Sequence, residues 1–211
     1  AIIGILGGFG AVVFRELIDV IRGAAFSRGV SVAELMALPW YWKVLPPMLG
    51  GLVVGPMIYF FAREAKGHGI PEVMNSVSTR GGKIRKRVVF VKTLASAITI
   101  GSGGSVGREG PIVQIGAGVG SSLGQALGFD GNRLIILLGC GAAAGMAATF
   151  NAPIAGVILA VEVIIGSATI SVFSPLVVAS VSGTIVTRLV YGDETFINVP
   201  EYTLLNPAVE L

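Results

Sequence analysis

Two short stretches of this chain carry residue types whose spacing suits the binding of a dehydrated anion. Gly67-His68-Gly69-Ile70-Pro71 and Gly107-Arg108-Glu109-Gly110-Pro111-Ile112 both place glycines ahead of a proline. Proline at or near the first helical position gives up an N–H that would have had no partner there, so each stretch reads as a helix start. The other first-turn amides also lack an intrahelical acceptor, and the macrodipole adds about half a positive charge. Such donors replace the water that an anion sheds on entering a bilayer. Their partial charges also let it leave again, where a full buried charge would hold it. The candidate anion-binding residues are therefore Gly67, His68, Gly69, Ile70, Pro71, Arg108, Gly110, Pro111 and Ile112.

Glu109 stands directly before the second of these starts. A carboxylate at membrane depth is expensive and by default functional. Deprotonated, it can occupy the anion site as a tethered competitor; protonated, it leaves, and the residue acts as a gate. The plainer alternative is a first-turn acid that stabilises its own helix or pairs with Arg108. Neutral His68 can donate one N–H to an anion, and two when charged; its plainer alternative is an imidazole turned to an aqueous vestibule while backbone amides bind.

Other chemistries fit less well. Ser102, Ser105, His68 and Glu109 superficially offer a hydrolase its nucleophile, base and orienting acid, but no Gly-x-Ser-x-Gly elbow surrounds either serine. A cation-coupled carrier would aim carboxylates or helix C-termini at its ion, whereas both stretches present N-termini. No cysteine and histidine cluster and no GxxxxGK[ST] loop suggests a metal or a nucleotide, so no cofactor is expected. Cys140 is the sole cysteine, which excludes a disulfide framework.

The elements that position these stretches are apolar. Of 211 residues 53% are hydrophobic and 13% charged, against about 25% charged in a soluble domain, and the mean hydropathy is +0.83. Four runs without Asp, Glu, Lys or Arg are long enough to approach the roughly 20 residues of a membrane span: Val44–Ala62, Pro111–Phe129, Leu134–Val161 and Val163–Thr187. A fifth, Val88–Val106, is interrupted only by Lys92, and a sixth, Ala1–Phe14, continues amphipathically to about Ala25. The first residue is not Met and already lies in an apolar run, and the chain stops in the polar connector Asn206–Leu211, so a fragment, or a chain with disordered ends, is expected.

Glycine and proline cut these runs where a plain span would be continuous. Asn151-Ala152-Pro153 is expected to divide Leu134–Val161 into two helices, Ser174-Pro175 to kink or break the last run, and Gly101–Gly107 to end the third helix in a flexible turn. Irregular backbone at membrane depth is tolerated only where protein buries it or a polar cavity meets it, so broken helices point to a permeation site. The 31 glycines also include the spacing Gly116, Gly120, Gly124 and the run Gly139–Gly145, small faces suited to close helix packing.

The net charge of +3 comes largely from Arg80, Lys83, Arg85, Lys86 and Arg87. No aromatic residues interleave with them, which disfavours nucleic acid. The positive-inside rule makes this loop, within 63–87, cytoplasmic. The two helix starts are then approached from opposite faces.

Here a resemblance becomes specific. Gly107-Arg108-Glu109-Gly110-Pro111 resembles the Gly-Arg-Glu-Gly-Pro signature of the CLC family of chloride channels and proton-coupled chloride transporters. Gly67-His68-Gly69-Ile70-Pro71-Glu72 is similar to that family's Gly-Ser-Gly-Ile-Pro-Glu, and Phe150-Asn151-Ala152-Pro153-Ile154-Ala155-Gly156 to its Phe-Asn-Ala-Pro-Leu-Ala-Gly. The resemblance implies a homodimer with one pore per subunit, each subunit built of two inverted repeats. This chain resembles the first repeat alone. The same resemblance implies that Glu109 gates the pore.

Two positions depart from the family pattern. His68 stands where serine is usual, at a position that the family links to anion preference. Val163 stands where many proton-coupled members carry the second of two consecutive acids, the inner proton acceptor. Glu162 is one residue away, turned about 100° around a helix, and is expected to cap or pair within the protein. These residues favour a passive channel or an uncoupled transporter, with a chloride/proton antiporter or a carrier for another anion as alternatives. The expectation is an all-α polytopic membrane protein, residues 1–211 forming the N-terminal half of a CLC-like inverted repeat with broken and re-entrant helices. Its partners are chloride or a related anion, the lipid bilayer of the plasma membrane and a second copy; it is not an enzyme.

Overall fold

A computed structural model describes residues 1–26, 37–166 and 169–192. The polar connector expected at Asn206–Leu211 lies outside the described residues, which are helical and contain no strand. In chain order the elements are α1 (Ile2–Phe26), α2 (Trp40–Phe61), a 3-10 turn (Arg63–Ala65), α3 (Ile70–Arg80), α4 (Lys86–Gly101), α5 (Glu109–Ala126), α6 (Gly131–Phe150), α7 (Pro153–Leu159 continuing through a π turn, Ala160–Ile165), and α8 (Ile170–Tyr191).

 Within α7, the α-helical part is Pro153–Leu159 and the π turn follows it without a break.

Three of these helices, α2, α6 and α8, are long and apolar enough to cross a membrane. α3 has 11 residues, or about 16 Å at 1.5 Å per residue, roughly half of a 30 Å hydrocarbon core, and is thus a re-entrant element.

The small residues pack helix on helix. A Cβ added at Gly116 would collide with the Gly141 carbonyl, and one at Gly141 with that of Gly116, so α5 and α6 cross in near backbone contact. Gly4 and Gly8 of α1 lie in the same way against Ala179 and Gly183 of α8, which makes those two helices parallel. Leu138, Ala142, Ala143 and Leu176 are fully buried between them. α2 is peripheral: Met48, Leu52, Val53 and Phe60 are all more than half exposed, the composition of a surface that meets lipid.

Connections fix the direction of each helix. The basic loop ends α3 and begins α4; its Ile84 N–H donates to Ser121 Oγ at 2.9 Å and Ser121 Oγ donates to the Gly82 carbonyl at 2.6 Å, near the C-terminus of α5. Arg87 lies 5.2 Å from the Phe61 ring, at the end of α2. At the opposite face, Gly101 of α4 meets Ile18 and Ile21 of α1, while Arg188 Nε donates to Asn151 Oδ1 at 2.8 Å across the ends of α8 and α6.

The division expected at Asn151-Ala152-Pro153 is present: Asn151 caps α6 in the left-handed conformation, φ 53°, and α7 starts at Pro153. Of the kink or break expected at Ser174-Pro175, the break is absent: α8 runs through Pro175, and the apolar run Val163–Thr187 is cut earlier, at Gly166, φ 71°. Glycine enters that left-handed cap without a Cβ clash, while a proline in the second turn removes a single hydrogen bond and is tolerated in a membrane helix. Val163 therefore belongs to the end of α7.

Candidate anion site

The two glycine–proline stretches come together. Gly69 caps α3 at φ 110°, a backbone that favours glycine, and Val73 N–H closes the first turn on the Gly69 carbonyl at 3.1 Å. The Ile70 and Glu72 amides precede that closure, and Pro71 between them has no N–H. At α5, Arg108 is the cap, Ile112 N–H closes on its carbonyl at 3.1 Å, and the Glu109 and Gly110 amides come before the closure.

Contact between the starts is direct. A Cβ at Gly69 would lie 2.8 Å from the Gly110 carbonyl oxygen and 2.9 Å from Gln114 Oε1; one at Gly110 would strike the His68 backbone and stand 2.5 Å from its Nδ1. Only glycine allows this approach. The connector to Gly69 arrives from the basic-loop face and the connector to Glu109 from the opposite face. Beyond the contact, α3 and α5 run side by side back to the basic loop.

Beside the contact lies a cavity of about 560 Å³. Gly67 and His68 line it from one start, Gly107 and Pro111 from the other, and Lys92 and Ser96 from α4. The Glu109 carboxylate folds back over Gly107, where a Cβ would collide with it. Glu109 is half-buried, and its carboxylate forms no hydrogen bond or salt bridge with a described residue. His68 is exposed to the cavity, with its ring edge against Gly110. Gly110, Pro111 and Ile112 are buried.

Two residues that sequence reasoning passed over support this geometry. Lys92 is buried in α4, and its Nζ donates to the Ala65 carbonyl at 3.2 Å and to the Gly67 carbonyl at 2.6 Å. Gln114 is 1% exposed; its Nε2 donates to the Glu64 carbonyl at 3.1 Å, which ties α5 to the 3-10 turn. The rule that flags Glu109, that an ionisable group at membrane depth is functional by default, applies equally to Lys92, the single charge in the run Val88–Val106.

Glu64, at the basic-loop face, forms a salt bridge with Arg85. Desolvation pushes its pKa up, but hydrogen bonds from its own backbone N–H and from Arg85, with the charges of Arg85 and Arg80, outweigh this and hold the carboxyl below its ordinary value.

The residues weighed for proton transfer lie elsewhere. Neither Glu162 nor Val163 lines the cavity. Glu162 is exposed on the π turn and has no hydrogen bond or ion pair with a described residue.

A family model described as voltage gated chloride channel matches residues 50–209. A ClcB-like chloride channel protein from Ralstonia nicotianae is 31% identical over 211 residues, covering 97% of this chain and 49% of its own length. An H(+)/Cl(−) exchange transporter, ClcA, from Vibrio parahaemolyticus is 31% identical and is covered over 45% of its length by all of this chain. The chain thus spans about half the length of the curated relatives it matches. Among solved structures, a slow cyanobacterial Cl−/H+ antiporter aligns with a TM-score of 0.77 at 24% identity, covering 98% of this chain and 49% of that one. A CLC-type fluoride/proton antiporter aligns with a TM-score of 0.75 at 23% identity, covering 99% and 50%. The fold, half of the CLC architecture, follows from these alignments, and with the family match over three quarters of its residues the chain is an integral membrane protein belonging to the voltage-gated chloride channel family.

Proposed function

We propose that this chain forms half of a pathway that carries chloride or a related small anion across the membrane, gated by Glu109. The observation that carries the reading is the contact of two glycine-capped helix starts, Gly69 against Gly110, at the edge of a cavity. Amides of α3 and α5 that precede their first closed turns present partial positive charge there. The Glu109 carboxylate, folded over Gly107 and without a hydrogen bond or salt bridge among the described residues, is placed to compete with the anion. The remaining walls come from a second repeat in a molecule as long as its relatives, and a second copy completes a homodimer. The basic loop within 63–87 faces the cytoplasm of a plasma membrane.

Val163 supports the passive mode over coupled antiport. An apolar side chain holds no proton, and Glu162 does not reach the cavity. Relatives named as channel and as exchanger are equally similar, so sequence likeness does not separate the modes. His68 beside the cavity supports an anion preference different from that of a serine-bearing relative.

The test is chloride efflux from vesicles holding the full-length protein, as the outer pH is varied. Glu109→Gln, which mimics the protonated acid, is expected to give efflux independent of outer pH. Efflux that keeps its parent pH dependence in this variant would overturn the gate, and absence of anion flux from the parent protein would overturn transport itself.

A further inference from the structure

At the basic-loop face two guanidinium groups from separate segments converge on the last turn of α2. Arg63, from the 3-10 turn, lies over the Tyr59 ring, 4.7 Å from its centroid, and Arg87, from the first turn of α4, lies over the Phe61 ring at 5.2 Å. Tyr59, Phe60 and Phe61 are each more than half exposed on this lipid-facing helix, and the first two meet edge to face. α2 has 22 residues, or about 33 Å at 1.5 Å per residue, slightly more than a hydrocarbon core of roughly 30 Å, so its last turn stands at headgroup level. Rings and positive residues at that level are also what topology alone produces; the stacked pairs and the excess of charge are not.

Residues 63–87 carry seven basic side chains against two acids, Glu64 and Glu72. Both acids are already held, Glu64 by Arg85 and Glu72 by Arg80 at 3.0 Å. Asp130, in the connector from α5 to α6 at the same face, is offset by Arg133, and Glu162 on the π turn removes at most one more charge. The helix ends there, the C-termini of α2, α3 and α5 against the N-termini of α4 and α6, add about half a negative charge. The balance stays near +3.5, at about half a charge per helix end. Lys83, Lys86, Arg87 and Arg63 are exposed, and none of their side chains reaches a carboxylate among the described residues. Stacking occupies the face of a guanidinium and leaves its N–H groups, which lie in the plane, free to donate. That planar fork matches the paired oxygens of a phosphodiester, and a ring that already orients it lowers the ordering cost of binding.

We propose that Arg63 and Arg87, stacked on Tyr59 and Phe61 and backed by Lys83 and Lys86, seat the phosphodiester headgroup of an anionic phospholipid in the leaflet on the basic-loop side. Clusters of basic residues next to a membrane helix attract such lipids, and here the rings place the acyl chains against α2. None of these residues lines the cavity beside His68. The site therefore stands apart from the transported anion and holds whether or not Glu109 gates.

The experiment follows retention of phosphatidylglycerol against phosphatidylcholine by the full-length protein in native mass spectrometry. The double variant Arg63→Gln, Arg87→Gln removes both forks and their charges, and phosphatidylglycerol retention is expected to weaken roughly tenfold or more. Arg22→Gln removes one exposed charge at the opposite face and should leave retention as it was. The double variant Arg63→Lys, Arg87→Lys keeps the charge of the loop and loses the planar forks; a clear loss of retention there separates a seated headgroup from diffuse attraction. If the Gln pair fails to insert or fold, the Lys pair decides. Equal retention of the two lipids by the parent protein, or retention that the Lys pair leaves unchanged, would overturn the proposal. Stabilisation by inorganic phosphate in thermal unfolding, with no phosphatidylglycerol retained, would also overturn it, because the ligand would then be a free anion.

Discussion

Lys92 Nζ donates a 2.6 Å hydrogen bond to the carbonyl of Gly67, the residue two positions before the cap of α3. A second bond, to Ala65, anchors the same connector. A buried ammonium held by two carbonyls thus fixes the segment that delivers His68 and Gly69 to the start of α5. Its charge also lies on the wall of the cavity, where it favours an anion.

Lys92→Met keeps the length of the side chain and removes both donors. Two carbonyls are left without their partner, each at about 1–3 kcal/mol. The connector should loosen and the Gly69–Gly110 contact open. The expected outcome is a lower melting temperature together with at least a tenfold loss of anion flux in the full-length protein. Unaltered flux at a lowered melting temperature would show that Lys92 supports the fold and leaves the pathway untouched.

Gly110→Ala tests the contact itself. The added methyl would strike the His68 backbone, which lies in a connector pinned by Lys92, so the two helix starts must separate. Overpacking of this kind costs about 1–3 kcal/mol. Anion binding measured by calorimetry should fall by roughly tenfold or more, given about 1.4 kcal/mol per factor of ten. Gly51→Ala, where nothing lies within 4 Å, is the control and should leave binding as it was.

Much of this arrangement was legible in the sequence, and the parts that were not share a cause. Gly69, Pro71, Gly110, Pro111 and Asn151-Ala152-Pro153 announce helix boundaries because the backbone itself restricts which residues fit. The small faces at Gly116 and Gly141 were legible for the same reason. Pro175 does not break its helix, because a single proline signals a lost hydrogen bond without saying whether the helix continues, and Gly166 went unread because a lone glycine in an apolar run is also ordinary packing. Lys92 and Gln114 were missed because their partners are carbonyls on distant turns, which leave no trace in local spacing.

Protonation at the basic-loop face should weaken the fold. The Glu64 carboxyl is held below its ordinary value in the folded state, so its contribution to stability is present above the unfolded carboxylate pKa and is lost as pH falls through the lower, folded one. Arg85→Gln removes a hydrogen bond and a nearby charge, and Glu64 Oε2 is buried without a hydrogen-bond partner among the described residues. In this variant the acid limb of a melting-temperature profile should move to higher pH. An acid limb that stays where it was would show that Arg85 does not set the Glu64 titration.

His68→Ser restores the residue usual at this position in the family. The imidazole edge now fills space against Gly110, and serine would leave that space to the anion or to water. Relative permeabilities for chloride, nitrate and fluoride, taken from reversal potentials of the full-length protein, should change order or spread by several-fold. Identical ratios would mean that backbone amides alone select the anion.

Val163 bears on coupling. It is 38% exposed and sits on the π turn that ends α7, beside Glu162, and neither lines the cavity next to His68. A coupled exchanger needs a protonatable group between the inner solution and the anion site, because a proton that crosses by itself would uncouple the cycle. With valine at that position, a chloride gradient across vesicles holding the full-length protein should drive no proton uptake while chloride itself moves. Proton uptake against its gradient would overturn the passive reading. It would then direct attention to Glu64, an acid at the basic-loop face whose backbone carbonyl accepts from Gln114 of α5, as the group that replaces the missing one.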